Sequence, residues 1–225
     1  MAFCFLTGIH KNEPKGETRG RTSKLRLIGL TGSIGTGKSE VSDILRDLGA
    51  PVIDADRLTH CLQKRGQPLW RAIWARYGWS VLGADGQLLR RKLGHQIFHD
   101  PDERQKLNAL VHPLVRRAIT QQVAEMSQKG YSVVILDIPL LIESDWRQKV
   151  DQIWLVYAPL EVQLERIMRR DHLGREEALR RIQAQIPVDE KIRYAHYVID
   201  NQGSLEGLRE QVTRLWQKQQ NTATD

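Results

Sequence analysis

The chain has 225 residues and a formal charge of +7, with 40% hydrophobic and 27% charged residues and a mean hydropathy of −0.46, which suits one good-sized globular domain and excludes a disordered chain. No apolar run approaches the ~20 residues of a membrane-crossing helix, and Cys4 and Cys61, lacking C-x-x-C spacing, exclude a disulfide scaffold or zinc ribbon and fit a reducing, cytoplasmic setting. A pI near 9.6 implies an anionic partner without choosing among nucleic acid, a membrane surface and small phosphorylated ligands.

Residues 1–24 join a short apolar start, Ala2 to Leu6, to an aperiodic Gly, Pro, Lys and Thr mixture with five Lys or Arg against two glutamates. They read as a flexible basic extension, unlike a secretory signal. From Leu25 the pattern changes. Leu25 to Thr31 is a branched, apolar run followed at once by glycines, and similar runs occupy Pro51 to Ile53, Ser132 to Leu136, Gln152 to Tyr157 and Tyr197 to Ile199. Helical patterns lie between them, at Glu40 to Leu48, Pro101 to Gln128 and Leu160 to Arg169.

Strands alternating with helices predict an α/β fold with a five-stranded parallel sheet flanked by helices. The gap of about eighty residues between the second and third runs is too long for one crossover helix. It predicts a mostly helical insertion at residues 57–130, turning at Gly83-Ala84-Asp85-Gly86, a natural place for substrate-specific surface. The layout is one domain over 25–220 with a lid at 160–187 and a disordered tail at 221–225.

Gly32-Ser33-Ile34-Gly35-Thr36-Gly37-Lys38-Ser39 matches G-x-x-x-x-G-K-[ST] in full, between the first strand and a helix starting near Lys38. Glycines let backbone N–H groups turn inward around a polyphosphate, and the helix adds its positive dipole end. Lys38 places a charge between the β- and γ-phosphates, and the Ser39 hydroxyl is a ligand for Mg²⁺. The implied ligand is a nucleoside triphosphate with magnesium. An N-K-x-D segment is absent, which favours ATP over GTP. Glu40 stands where many such loops have a hydroxyl for the α-phosphate, so its carboxylate must point away or be neutralised.

The second run ends in Asp54-Ala55-Asp56, at the carboxyl edge where such sheets bind ligands. Asp54 either caps the next helix or faces the site. Asp56 is the better candidate for orienting the acceptor hydroxyl or receiving its proton. Asp137 ends a buried strand, where an ionised side chain requires a cation or donors; it meets a magnesium-bound water, a substrate hydroxyl or the Pro139 turn. Arg166, Arg169, Arg170 and Arg175 surround Asp171-His172-Leu173-Gly174, as a solvated helix face or as a lid that neutralises a transferring phosphoryl group. His95 and His99 have ligand spacing without the glutamate of a metalloprotease motif. Trp70, Trp74 and Trp79, near Tyr77, read as packing of the insertion rather than a nucleic-acid stacking platform.

The phosphate loop together with Val52-Ile53-Asp54-Ala55-Asp56, Asp85-Gly86, Arg90-x-x-Leu93, Phe98, His112-Pro113-Leu114, Asp137-Ile138-Pro139-Leu140-Leu141-x-Glu143 and Asn201-x-Gly203 resembles the dephospho-CoA kinase family, from about Leu25 to about Leu215. The resemblance implies a P-loop kinase fold with a helical CoA-binding insertion and a lid. It implies transfer of the γ-phosphate of ATP, with Mg²⁺, to the 3′-hydroxyl of dephospho-CoA, the last step of CoA biosynthesis. Asp56, Lys38 and Arg170 take the catalytic positions. Gly32 to Glu40 and Asn201 fall on the nucleotide side, while Thr31, Asp56, Arg90, His112, Asp137, Pro139 and Leu140 fall on the acceptor side.

The chain departs from that family at Ser33, where a second glycine is common, at Glu40, where Thr is common, and at His196, where an acid often precedes the last strand. The expected partner is dephospho-CoA, without nucleic acid or membrane, for a cytoplasmic monomer or weak homo-oligomer. The competing expectations are a P-loop kinase for another nucleoside or nucleotide acceptor, and a basic nucleic-acid-binding NTPase module.

Overall fold

The computed structural model describes residues 25–98 and 100–222; the expected extension at 1–24 and His99 lie outside them. Five strands, β1 (Arg26–Gly32), β2 (Val52–Asp54), β3 (Val133–Asp137), β4 (Gln152–Tyr157) and β5 (Tyr197–Asp200), form one sheet in the order β2-β3-β1-β4-β5. Every pairing is parallel. All five residues of β3 are buried, the pattern of a strand covered on both faces. The expected runs differ from the strands by no more than one residue at either end, because the ladders extend to Gly32, Asp54, Asp137 and Asp200.

The chain folds into two compact units. The first holds the sheet, residues 25–58 and 116–222. Here α1 (Lys38–Asp47) sends Val41, Ile44 and Leu45 against the same core as Leu208, Val212 and Trp216 of α9 (Leu205–Thr222). Ile28, Leu30, Trp154, Val156 and Ile199 meet them from alternate positions of β1, β4 and β5. Burying each such side chain contributes roughly 1.5–3 kcal/mol. On β1, Gly29 faces Leu141, whose Cδ1 lies 2.2 Å from where a Cβ would stand, so that position admits no side chain without displacing Leu141. The helix α9 continues to Thr222, two residues into the stretch expected as a tail, since Trp216 and Gln219 are buried in its last turns.

His196, one of the departures, is bonded to β4. Its Nδ1 accepts the Ile153 N–H at 3.1 Å, while its backbone N–H donates to Ile153 O at 2.8 Å.

The second unit is described over Thr59–Val115. It contains α3 (Pro68–Tyr77) and α4 (Arg90–Phe98), and it shares α2 (Ala55–Leu62) and α5 (Pro101–Gln128) with the first. Leu69, Ile73 and Val81 are fully buried. The expected Gly83–Gly86 turn is a small hairpin closed by a Leu82–Leu88 bridge, and Gly86 adopts φ 74°. Trp70 stacks on Trp74 with centroids 5.6 Å apart and donates Nε1–H to Gly86 O at 2.9 Å. Trp79 meets Trp74 edge-on and stays 74% exposed. No helix among the described residues is long and apolar enough to cross a membrane.

Candidate active site

The strand order reverses direction around β1, which lies between β3 and β4, and a ligand crevice opens at the carboxyl ends of strands at such a switch point. The glycine-rich loop leaves β1 there and enters α1. Gly35 and Gly37 have φ of 81° and 83°, a conformation that only glycine adopts freely. Both are also approached closely: a Cβ on Gly35 would lie 2.7 Å from Gln163 O, and one on Gly37 would lie 2.0 Å from Asn201 Nδ2.

The loop is held from outside by α6 (Leu160–Asp171), α7 (Arg175–Gln183) and the stretch after them. Ile34 packs against Leu164, Ile167, Ala178 and Ile182. The Arg166 guanidinium donates to Gly35 O at 3.5 Å, Thr36 O at 3.3 Å and Asn201 O at 2.8 Å. Asn201 Nδ2 adds a bond to Thr36 O at 2.9 Å. These donors occupy the carbonyls of Gly35 and Thr36, and N–H groups turned inward from such a loop can bind an anion. Two of the loop's N–H groups have protein acceptors, that of Ile34 in Gln185 Oε1 at 3.0 Å and that of Thr36 in Ser33 O at 3.2 Å. Ser33, the departure from glycine, is accommodated because its hydroxyl reaches Ile186 O at 3.5 Å.

Lys38 pairs with Asp137 Oδ1, and Ser42 donates its hydroxyl to Asp137 Oδ2. The buried carboxylate at the end of β3 therefore has a cation and a donor. Ser42, one helical turn beyond Lys38, was not among the expected site residues; its i+4 spacing from the loop lysine is the signal that places it on the same face. Thr31 is expected on the acceptor side. It is fully buried and donates its hydroxyl to Pro139 O at 2.8 Å, so it anchors the segment carrying Pro139 and Leu140. Asn201 likewise is buried against the loop backbone through its amide.

Asp54 resolves as a cap: Oδ1 accepts Arg57 N–H at 2.8 Å, and Oδ2 accepts from Arg46 at 3.3 Å. Asp56 is exposed in the first turn of α2. Ser39 and Glu40 are exposed in the first turn of α1. Glu40 Oε2 folds back to within 3.0 Å of a Cβ position on Gly37.

The arginines separate in role. Arg166 clamps the loop. Arg170 makes a two-pronged contact with Asp171 at 2.7 and 3.0 Å; that bond raises its pKa, burial opposes the rise, and the charges of Asp171 and then Glu40 add to it. Arg175 binds Glu161, and Arg169 faces outward. In the second unit, Arg90 opens α4 beside Arg91 and Lys92 in a groove that includes Lys64, and His112 is exposed on α5. Arg90, Arg91, Lys92 and Lys64 give that groove the positive potential to attract an anion.

Residues 26–207 match the family model described as dephospho-CoA kinase. The chain is 47% identical over 192 residues to the dephospho-CoA kinase of Symbiobacterium thermophilum, covering 85% of this chain and 80% of that one. It is 44% identical over 194 residues to that of Carboxydothermus hydrogenoformans, covering 86% and 94%. Among solved structures it resembles TT1252 from Thermus thermophilus, with a TM-score of 0.74 and 37% identity over 86% of this chain and 97% of that one. It also resembles the dephospho-CoA kinase from Campylobacter jejuni, with a TM-score of 0.61 and 26% identity over 86% and 96%.

Proposed function

The chain belongs to the dephospho-CoA kinase family, and from that premise we propose how its residues divide the work of phosphorylating the 3′-hydroxyl of dephospho-CoA with ATP, the reaction that completes CoA biosynthesis. The observation that carries the reading is the Lys38–Asp137–Ser42 arrangement beside the loop. It sets a cation at the first turn of a helix, next to a buried carboxylate on the neighbouring strand. That is the equipment for gripping the terminal phosphates of a nucleotide.

The N–H groups of Gly35, Gly37, Lys38 and Ser39 and the Lys38 ammonium hold the β- and γ-phosphates, and Arg170 neutralises charge on the transferring group. Ser39 supplies a neutral hydroxyl and Asp137 a carboxylate, hard oxygens of the kind Mg²⁺ takes together with phosphate oxygens and waters. Magnesium, when bound, supplies charge neutralisation at the phosphates. Asp56 orients the acceptor hydroxyl. The hydroxyl oxygen forms a bond to the γ-phosphorus, the bond from that phosphorus to the β–γ bridging oxygen breaks to release ADP, and the hydroxyl proton passes to Asp56. The transition state is loose, so orientation contributes more than early proton removal.

Pro139 and Leu140 contact the acceptor; Thr31 acts through Pro139, and Asn201 and Glu40 act through the loop. Nucleic acid and membrane have no part in this reading, and the enzyme works in the cytoplasm as a monomer or weak homo-oligomer. Asp56→Asn tests the assignment. Turnover should fall about 10²–10⁴-fold with ATP binding, measured by titration calorimetry, unchanged. Near-normal turnover removes Asp56 from the mechanism.

A further inference from the structure

Lys191, in the short helix α8 (Val188–Lys191), is 0% exposed. None of the roles above uses it. Its Nζ stands 2.8 Å from Glu143 Oε1, at ion-pair distance though outside hydrogen-bond geometry. A fully buried ammonium is costly unless a countercharge meets it, so the pair ties the chain at Glu143 to α8.

Glu143 closes the segment that follows β3. Within this segment Ile138, Leu141 and Ile142 are buried and Leu140 is 46% exposed. With Thr31 holding Pro139 O, one apolar side chain is displayed between anchored neighbours. A second contact joins the same two stretches. Arg147, just beyond Glu143, lies 4.7 Å from the Tyr194 ring centroid, and Arg193 lies 4.9 Å from it. At its other end the stretch 185–194 holds the phosphate loop, through Gln185 to the Ile34 N–H and through Ile186 O to the Ser33 hydroxyl. One strap therefore grips the phosphate loop at Gln185 and the segment after β3 at Lys191.

We infer that Lys191 is a positioning residue for the acceptor: through Glu143 it fixes the segment presenting Pro139 and Leu140, while Gln185 fixes the loop that takes the nucleotide. The inference rests on the assignment of Pro139 and Leu140 to acceptor binding. It predicts a split between the two substrates that a general loss of packing does not produce.

The test compares kcat, both KM values and the melting temperature for Lys191→Met, Glu143→Asp, Gln185→Ala and Leu140→Ala. Lys191→Met should raise the KM for dephospho-CoA about tenfold and leave that for ATP within about twofold, with Gln185→Ala showing the reverse. Glu143→Asp keeps the charge and draws it back by one methylene; it should shift the dephospho-CoA KM about threefold in the same direction, and it decides the matter should Lys191→Met not fold. Leu140→Ala raises the dephospho-CoA KM if the acceptor assignment is right. A raised KM in Leu140→Ala with neither KM changed in the Lys191 and Glu143 variants, or with both raised alike, overturns the positioning role alone. An unchanged KM in Leu140→Ala overturns the acceptor assignment and the inference with it.

Discussion

The Lys38 ammonium and the Asp137 carboxylate form an ion pair that joins the first turn of α1 to the carboxyl end of β3, and Ser42 occupies the second carboxylate oxygen. The pair fixes the loop lysine in place without a long search among rotamers, and it gives a buried acid the partners it requires.

Asp137→Asn keeps the shape and removes the countercharge. Turnover should fall about 10²–10³-fold, because Lys38 loses the group that orients it, while the affinity for ATP, still carried by the loop N–H groups, changes little. Ser42→Ala should cost about 1.5–3 kcal/mol of stability in denaturant titration. Unaltered turnover in Asp137→Asn contradicts the role of the pair.

At Glu40 the helix N-terminus tolerates a carboxylate, but the phosphate loses a hydroxyl partner. Glu40→Thr should lower the ATP KM by about fivefold, the equivalent of one hydrogen bond of ~1 kcal/mol. Added salt should narrow the difference, since an exposed charge is screened. The check is ATP titration at low and high ionic strength; an unchanged KM at both counts against the effect.

Arg166 reaches three carbonyls with one planar fork, which an ammonium cannot copy. Arg166→Lys should destabilise the protein by about 1–3 kcal/mol and raise the ATP KM. Arg169→Lys, on the outward side of the same helix, should do neither. Equal behaviour of the two variants in thermal melts and kinetics rules out the clamp.

Lys106 and then Arg76 hydrogen-bond Glu103 and hold its carboxyl down at about 2, against an ordinary 4.5. The folded value lies below the unfolded one, so this contribution to stability is fully present above pH ~5 and is lost as pH falls from there toward 2. Glu103→Gln removes it. Unfolding curves of the two proteins should therefore differ near neutral pH and converge toward pH ~2; a gap independent of pH contradicts the assignment.

The sheet was legible because four of the five strands are short apolar runs ended by a glycine or an aspartate, at Gly32, Asp54, Asp137 and Asp200, and because the loop motif announces the strand before it and the helix after it. Lys38 and Ser39 follow from that motif alone. What sequence could not distinguish was a residue that touches a ligand from one that holds the residue touching it. Thr31, Asn201 and Arg166 lie next to the phosphate-loop motif or pack against it and turn inward to backbone carbonyls, a choice made by tertiary packing. Gln185 and Lys191 carry no local pattern, and Glu143, although it ends the motif that begins at Asp137, gives no sign of its partner, since these partners lie far away in the chain.

The most direct test incubates the purified protein with Mg·ATP and follows ADP release with dephospho-CoA, adenosine, AMP or no acceptor, identifying the product each time. The account predicts fast release with dephospho-CoA only, with 3′-phosphorylated product, CoA, in equal amount. Comparable release with adenosine or AMP, or none with dephospho-CoA, would contradict it.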